Sequence, residues 1–106
     1  MTHMKKMGLF AFAWMSAWTA QAQDANIRLH TRSLVASCAS CHGTDGRAVE
    51  GSAIPSLAGT SKAEITLQMK AFKEGTRPAT IMHQLSKGYT DEQIDRIATY
   101  FAAVKR

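Results

Sequence analysis

The spacing of apolar residues along the chain predicts a helical protein. Apolar side chains recur three and four positions apart in three stretches. They are Ile27, Leu34, Val35, Cys38 and Cys41 in the first stretch, Ile65, Met69 and Phe72 in the second, and Ile94, Ile97, Ala98, Phe101 and Ala102 in the third. We expect helices over about residues 27–41, 62–74 and 91–104, and one further short helical turn over about 80–85.

Each of the three longer helices is preceded by a residue that can cap it. These residues are Asp24 or Asn26 for the first helix, Ser61 for the second and Thr90 for the last. Glu64 and Gln93 follow the latter two caps with the spacing of a capping box. Glycines and a proline interrupt residues 44–59, so we predict a loop there rather than a strand.

The first 22 residues have the composition of a secretory signal peptide. Lys5 and Lys6 precede an apolar stretch over residues 7–18, and Ala20-Gln21-Ala22 offers a cleavage site of small residues. The apolar stretch is short for a transmembrane helix of about 20 residues, although an uncleaved anchor stays open as an alternative. We therefore predict a signal peptide over 1–22, a single domain over 23–106 and no stable membrane insertion after cleavage.

The charge balance is mildly basic, with 13 Lys and Arg against 8 Asp and Glu. The excess falls further once Lys5 and Lys6 are removed with the signal peptide. This balance is too weak to indicate nucleic-acid binding, but it suits a soluble protein whose encounters with partners are steered by charge.

Both cysteines of the chain lie in one motif, Cys38-Ala39-Ser40-Cys41-His42. CxxCH is the attachment signature of haem c, in which both thiols form thioethers to the haem and the histidine ligates the iron. The alternatives are a thiol redox pair, half of a zinc site or a structural disulfide. No βαβ pattern or second ligand pair accompanies the motif, and a disulfide here would close too small a loop to stabilise much. The motif predicts one covalently bound haem c.

The order of the predicted elements resembles the class I cytochrome c fold. A CxxCH-bearing helix is followed by a long loop, a middle helix, a short ligand-bearing segment and a C-terminal helix. The resemblance implies an all-α domain of about four helices around one haem, in which the first and last helices cross. Tyr100 and Phe101 are candidates for the aromatic pair at that crossing, or for ordinary core packing.

Several runs are similar to the cytochrome subunit of flavocytochrome c sulfide dehydrogenase, a group related to cytochrome c4. They are residues 37–46, Pro55-Ser56-Leu57-Ala58-Gly59, residues 68–78, Met82-His83-Gln84-Leu85 and residues 88–94. Some members of this group carry two haem domains. This chain has one CxxCH motif and resembles the forms with a single haem.

The resemblance implies the remaining residues of the iron site. Met82 stands where class I cytochromes place the methionine opposite the histidine, and Met69 and His83 stay open as alternatives. His30 lies on the same predicted helix as His42 and cannot reach the opposite face of the haem. Pro55 matches the proline whose carbonyl oxygen accepts the Nδ1 proton of the iron-ligating histidine, although it can also be an ordinary loop proline.

With two axial ligands the iron has no open position, so we expect an electron carrier without catalytic residues. The resemblance implies a periplasmic protein that accepts electrons from a flavoprotein subunit oxidising sulfide and passes them to a soluble redox protein. Two alternatives stay open: a free shuttle cytochrome serving another periplasmic dehydrogenase or a terminal oxidase, and a haem enzyme or gas sensor with five-coordinate iron. The residues that could line a docking face, or simply a solvated charged surface, are Lys70, Lys73, Arg77, His83 and Lys87.

Overall fold

Helices provide all the regular secondary structure in the described part of the chain. The computed structural model describes the backbone of residues 4–106 and the side chains of residues 19–106. The elements in chain order are α1 (Met4–Ala36), α2 (Ala39–His42), a 3₁₀ turn (Thr44–Gly46), α3 (Lys62–Glu74), α4 (Met82–Lys87) and α5 (Asp91–Ala103). No strand occurs among these residues, so the all-helical prediction is confirmed.

The chain divides into two compact units, Met1–His30 and Thr31–Arg106. In the first unit the side chains of residues 19–30 are all exposed. The predicted signal peptide over 1–22 falls largely on residues whose side chains lie outside the described part, and it stays a prediction. Within the described residues, none of the helices has the length and apolar character needed to cross a membrane.

The first helix differs from its prediction at both ends. It continues through Asp24 and Asn26, which therefore do not cap it, because no proline or glycine interrupts the chain between residues 9 and 36. It ends at Ala36, earlier than expected. There the hydrogen bonding tightens, since the Cys38 N–H donates to the Val35 carbonyl three residues back. The CxxCH motif consequently lies on a turn and on the separate one-turn helix α2.

Helices α3 and α5 begin at the predicted capping residues, Ser61 and Thr90. The Ser61 hydroxyl accepts a hydrogen bond from the Glu64 N–H at the start of α3, and Gly75 ends that helix in the left-handed conformation. At the start of α5, Thr90 and Gln93 form both hydrogen bonds of a capping box. The short turn expected over 80–85 lies two residues further along the chain, as α4 (Met82–Lys87), which Gly88 follows.

The buried core of the second unit is formed by the end of α1 together with α3 and α5. Its members are Val35, Ile65, Met69, Ile94, Ile97, Ala98 and Phe101. Burying a side chain of the size of Ile or Phe stabilises a fold by about 1.5–3 kcal/mol, so this cluster is the main apolar contribution. Cys38 packs against its edge, and the core thereby fixes the start of the CxxCH segment.

Gly46 joins the loop after CxxCH to the C-terminal helix. It has a left-handed backbone (φ 74°), and a Cβ atom added there would lie 2.8 Å from the Phe101 ring and 3.0 Å from Leu57. The Phe101 ring therefore packs directly on the Gly46 backbone. The Phe101 carbonyl also accepts a hydrogen bond of 2.9 Å from the Gly59 N–H. Helix α5 thus holds the loop at two points, Gly46 and Gly59.

We expect Gly46→Ala to lower the free energy of unfolding by about 2–4 kcal/mol, since the left-handed strain and the overlap with Phe101 both oppose the methyl group. Gly51→Ala is the matched control. Gly51 has a similar left-handed backbone (φ 78°) with open space around its Cβ position, so the control should lose only about 1 kcal/mol. Urea unfolding followed by far-UV circular dichroism measures both. Equal losses in the two variants would contradict the close packing at Gly46.

Candidate functional site

The CxxCH residues occupy a turn and a single helical turn that leave both thiols accessible for chemistry. Cys38 is half-buried against the core, whereas Cys41 is exposed, and both are free thiols. The Ser40 hydroxyl donates to the Ser37 carbonyl (2.8 Å), which satisfies one of the carbonyls left free by the end of α1. His42 closes the segment with its side chain buried.

The imidazole of His42 is oriented by one short hydrogen bond. Its Nδ1 atom lies 2.7 Å from the carbonyl oxygen of Pro55. Because a carbonyl oxygen only accepts hydrogen bonds, Nδ1 carries the proton and donates it. In the neutral ring this leaves the lone pair on Nε2, the nitrogen available to a metal ion. The contact is the one that the family resemblance implies for Pro55, while the iron-binding role of His42 stays a prediction.

The three residues that follow Pro55 make hydrogen bonds that converge on the carbonyl oxygen of Gly46. That oxygen accepts from the Ser56 hydroxyl (2.8 Å), the Leu57 N–H (2.8 Å) and the Ala58 N–H (3.0 Å). Neither Gly46 nor Ser56 was predicted to be part of the site. The only signal in the sequence was a glycine four residues after His42, in a place where a left-handed turn can form.

The environment of Cys38 differs from that of a reactive thiol. Burial raises the pKa of the Cys38 thiol, and this outweighs the opposing hydrogen bond from Ser37. Reactive thiols of the thioredoxin type have lowered pKa values instead. Among the described residues, no group of three or more His, Cys, Asp or Glu side chains is placed to bind a metal ion. The zinc alternative therefore gains no support.

The candidates for the second axial ligand lie in different environments. Met69 is buried in the core, between residues of α3 and α5, which agrees with its default role as core filler. Met82 is the first residue of α4, half-buried, and belongs neither to the core nor to the residues packed on it. His83 is also half-buried, with an Nδ1 atom that lacks a hydrogen-bond partner. His30 lies on α1 with an exposed side chain.

The donor set of this site fits a haem c. It offers two free thiols, an imidazole whose Nε2 can accept a metal, and a thioether outside the core. Three large apolar side chains close in the chain to Pro55 or to Met82 are substantially exposed: Ile54 (39%), Ile81 (58%) and Leu85 (49%). Exposed apolar side chains offer surface that another apolar body can cover, and the porphyrin ring is such a body.

A second polar contact supports the segment after His42 from the side of α5. The Tyr100 hydroxyl donates to the Asp45 carboxylate at 2.7 Å, and Arg47 lies 3.5 Å from the same carboxylate. The hydrogen bond to Asp45 raises the pKa of Tyr100, with a smaller contribution from burial. The Tyr100 and Phe101 rings meet edge to face, 5.2 Å apart. Tyr100 therefore holds Asp45 while Phe101 packs on Gly46.

Several of the cations expected on a docking face are engaged within the protein. Lys73 donates to the Tyr89 carbonyl (2.8 Å) and to Asp91 (3.1 Å), while Lys70 lies 3.6 Å from Asp91. The Lys73 hydrogen bond, followed by the charge of Lys70, lowers the pKa of Asp91. Arg77 stacks on the Phe72 ring at 4.9 Å from its centroid. These contacts reduce the positive charge that the surface offers to a partner.

Comparison with known proteins finds cytochromes among the relatives of this chain. Residues 25–101 match a family model described as cytochrome c oxidase, cbb3-type, subunit III. The chain is 46% identical over 70 residues to the cytochrome subunit of sulfide dehydrogenase of Chlorobaculum tepidum, covering 66% of this chain and 62% of that protein. It is 36% identical over 70 residues to the thiosulfate dehydrogenase electron acceptor of Stutzerimonas stutzeri, covering 63% of this chain and 32% of that protein. The chain thus spans less than two thirds of either relative.

A solved structure carries the same fold. Cytochrome c4 of Acidithiobacillus ferrooxidans superposes with a TM-score of 0.60 at 36% sequence identity, over 63% of this chain and 38% of that chain. Together with the helical architecture described above, this confirms the predicted class I fold.

We expect Tyr100→Phe to destabilise the protein by about 1 kcal/mol at neutral pH, the net contribution of one hydrogen bond. The folded-state pKa of Tyr100 is raised above the ordinary value of 10.0, so this contribution is complete below about pH 10 and is lost as the pH rises through the folded-state pKa. The stability difference between wild type and variant should therefore shrink in alkali.

Urea unfolding at neutral and alkaline pH measures this difference. In an Asp45→Asn background the same substitution should show little pH dependence, because the group that most raises the pKa has lost its charge. A stability difference that stays constant through the alkaline range in the native background would contradict the assignment.

Proposed function

Since this chain belongs to the cytochrome c family, as a class I c-type cytochrome, we propose that it binds one haem c covalently and carries single electrons from a periplasmic flavoprotein. The observation that carries the proposal is the short hydrogen bond from His42 to Pro55 beside two free thiols. It presents the Nε2 lone pair of a buried imidazole directly next to the attachment residues.

Four side chains would hold the group. Cys38 and Cys41 would each form a thioether, His42 would bind iron through Nε2, and Met82 would bind it through its sulfur. Haem c held by these residues would supply a one-electron Fe(III)/Fe(II) couple, and a methionine ligand beside the histidine ligand would raise its potential. Met82 is preferred over Met69 because the core already uses the Met69 side chain.

The same arrangement favours a carrier over an enzyme. If His42 and Met82 both bind the iron, no coordination position is left for a substrate. We propose no catalytic role for any other residue. A five-coordinate haem enzyme or gas sensor would instead bind carbon monoxide rapidly in the reduced state. Slow or absent binding at neutral pH is the result expected here.

We place the protein in the periplasm, to which residues 1–22 would direct it as a signal peptide. Haem c attachment agrees with this location, because thioethers are formed outside the bacterial inner membrane. The mature protein would then be a domain over 23–106 without a membrane-inserted segment.

The proposed electron donor is a flavoprotein subunit with sulfide dehydrogenase activity, and the acceptor is a soluble redox protein. The similarity to the cytochrome subunit of sulfide dehydrogenase supports the donor class. The similarity to a thiosulfate dehydrogenase electron acceptor supports a dehydrogenase partner more broadly.

We expect Met82→Leu to abolish the weak far-red charge-transfer band of methionine-ligated ferric haem and to open the iron to carbon monoxide. Met69→Leu, a change of the same type in the core, should keep the band and lose at most about 1.5 kcal/mol of stability. Absorption spectra of the two purified holoproteins show which methionine, Met82 or Met69, binds the iron. A band that survives in Met82→Leu and disappears in Met69→Leu would reassign the ligand.

The donor is tested by purifying the tagged full-length protein from periplasm and recording its spectrum. Flavin absorption in the complex, with reduction of the haem on adding sulfide but not thiosulfate, is the expected result. Reduction by thiosulfate alone would assign the chain to a thiosulfate dehydrogenase. A haem protein free of flavin that sulfide leaves oxidised would favour the shuttle cytochrome.

A further inference from the structure

We propose that Ser56 is a positioning residue for the iron ligand His42, acting through the Gly46 carbonyl to hold the Pro55 carbonyl against the Nδ1 proton. This inference rests on the proposed haem-binding function. It concerns a hydroxyl group that touches neither the imidazole nor the cysteines.

Pro55 cannot anchor itself to the rest of the loop through its own nitrogen. A proline has no N–H group, so its carbonyl is positioned by the hydrogen bonds of its neighbours. On the preceding side, the Ile54 N–H donates to the Ser52 hydroxyl within the same loop (3.1 Å). On the following side, the donors of Ser56, Leu57 and Ala58 all reach the Gly46 oxygen. Of these two sets of hydrogen bonds made by its neighbours, the second ties Pro55 to a different part of the chain.

The Gly46 oxygen is a fixed reference point for His42. The Gly46 N–H donates to the Gly43 carbonyl (2.8 Å), and the Gly43 N–H donates to the Ala39 carbonyl (3.0 Å), so both are connected to the backbone of α2 that carries His42. The Phe101 ring covers Gly46 from the other side. The His42 donor and the Pro55 acceptor are therefore both connected by hydrogen bonds to the same turn, the one that contains Gly46.

Within that set, Ser56 supplies the contact nearest to Pro55. Its hydroxyl bond to Gly46 is as short as the backbone bond from Leu57, and Ser56 directly follows the carbonyl that it is inferred to position. A carbonyl oxygen has two lone pairs, so three donors share it. Removing the hydroxyl would leave the two N–H donors satisfied while releasing the peptide unit between Pro55 and Ser56.

The test is Ser56→Ala in the holoprotein, with the His42 Nδ1 proton followed by NMR in the reduced state. Its exchange with solvent should accelerate about fivefold, the factor that corresponds to the net contribution of one hydrogen bond, about 1 kcal/mol. The reduction potential should also shift upwards, because a less firmly hydrogen-bonded imidazole donates less electron density to the iron and stabilises Fe(III) less.

Two variants separate positioning from general stability. Ser56→Thr retains the hydroxyl and should restore both exchange rate and potential. Thr99→Val removes a hydroxyl that donates to the Asp95 carbonyl at the same distance, 2.8 Å, on the exposed side of α5. That variant should leave the exchange rate of the His42 Nδ1 proton and the reduction potential unchanged.

Each outcome bears on the inference. Wild-type rates and potential in Ser56→Ala, whatever its stability, would overturn it while leaving the proposed function intact. Equal changes in Ser56→Ala and Thr99→Val would also overturn it, since they would show a general loosening of the fold. Protein exported without haem would contradict the proposed function, and this inference would fall with it.

Discussion

The hydrogen bond between His42 and Pro55 unites the two halves of the site. Residues 38–42 carry the thiols and the imidazole, whereas residues 52–59 carry the acceptor, and neither stretch has a long helix of its own to stiffen it. The bond is short, and it fixes both the tautomer and the direction of the ring. Helix α5 supports the segment after His42 through two contacts: Phe101 packs on Gly46, and Tyr100 donates a hydrogen bond to Asp45.

The small core explains why a covalent group suits this chain. The second unit buries seven apolar side chains in one cluster, drawn from three helices, while Ile54, Ile81 and Leu85 remain outside it. A domain of this size often needs a disulfide, a metal or a covalent cofactor to supplement its core. An apolar plate attached through Cys38 and Cys41 would continue the cluster that Cys38 already touches.

The elements that the sequence predicts best are those defined by local chemistry. The caps at Ser61 and Thr90 depend on neighbouring residues, and the structure confirms both of them. The predicted start of α1 was wrong. Capping by Asp24 or Asn26 would begin the helix there, but the residues before them can also be helical, and α1 continues through both positions. Capping propensity cannot settle that competition where helix formers lie on both sides.

The site itself was predictable only where a motif names its residues. CxxCH and the resemblance at Pro55 identified His42 and its acceptor. The convergence on Gly46 and the contact of Tyr100 with Asp45 join residues 10 and 55 positions apart in the chain. Such contacts follow from how α5 packs, and a single sequence carries no direct record of that packing.

The attachment of α3 to its neighbours has a consequence for the segment that carries Met82. At one end, the N–H groups of Thr76 and Arg77 donate to the Ala71 carbonyl; at the other, Lys73 donates to the Tyr89 carbonyl. Both ends are thus tied to the last turn of one helix, as in a compact surface loop. Residues 76–89 therefore take their position from α3, and Met82, which lies between the two attachment points, is placed by that helix rather than by α1 or α5.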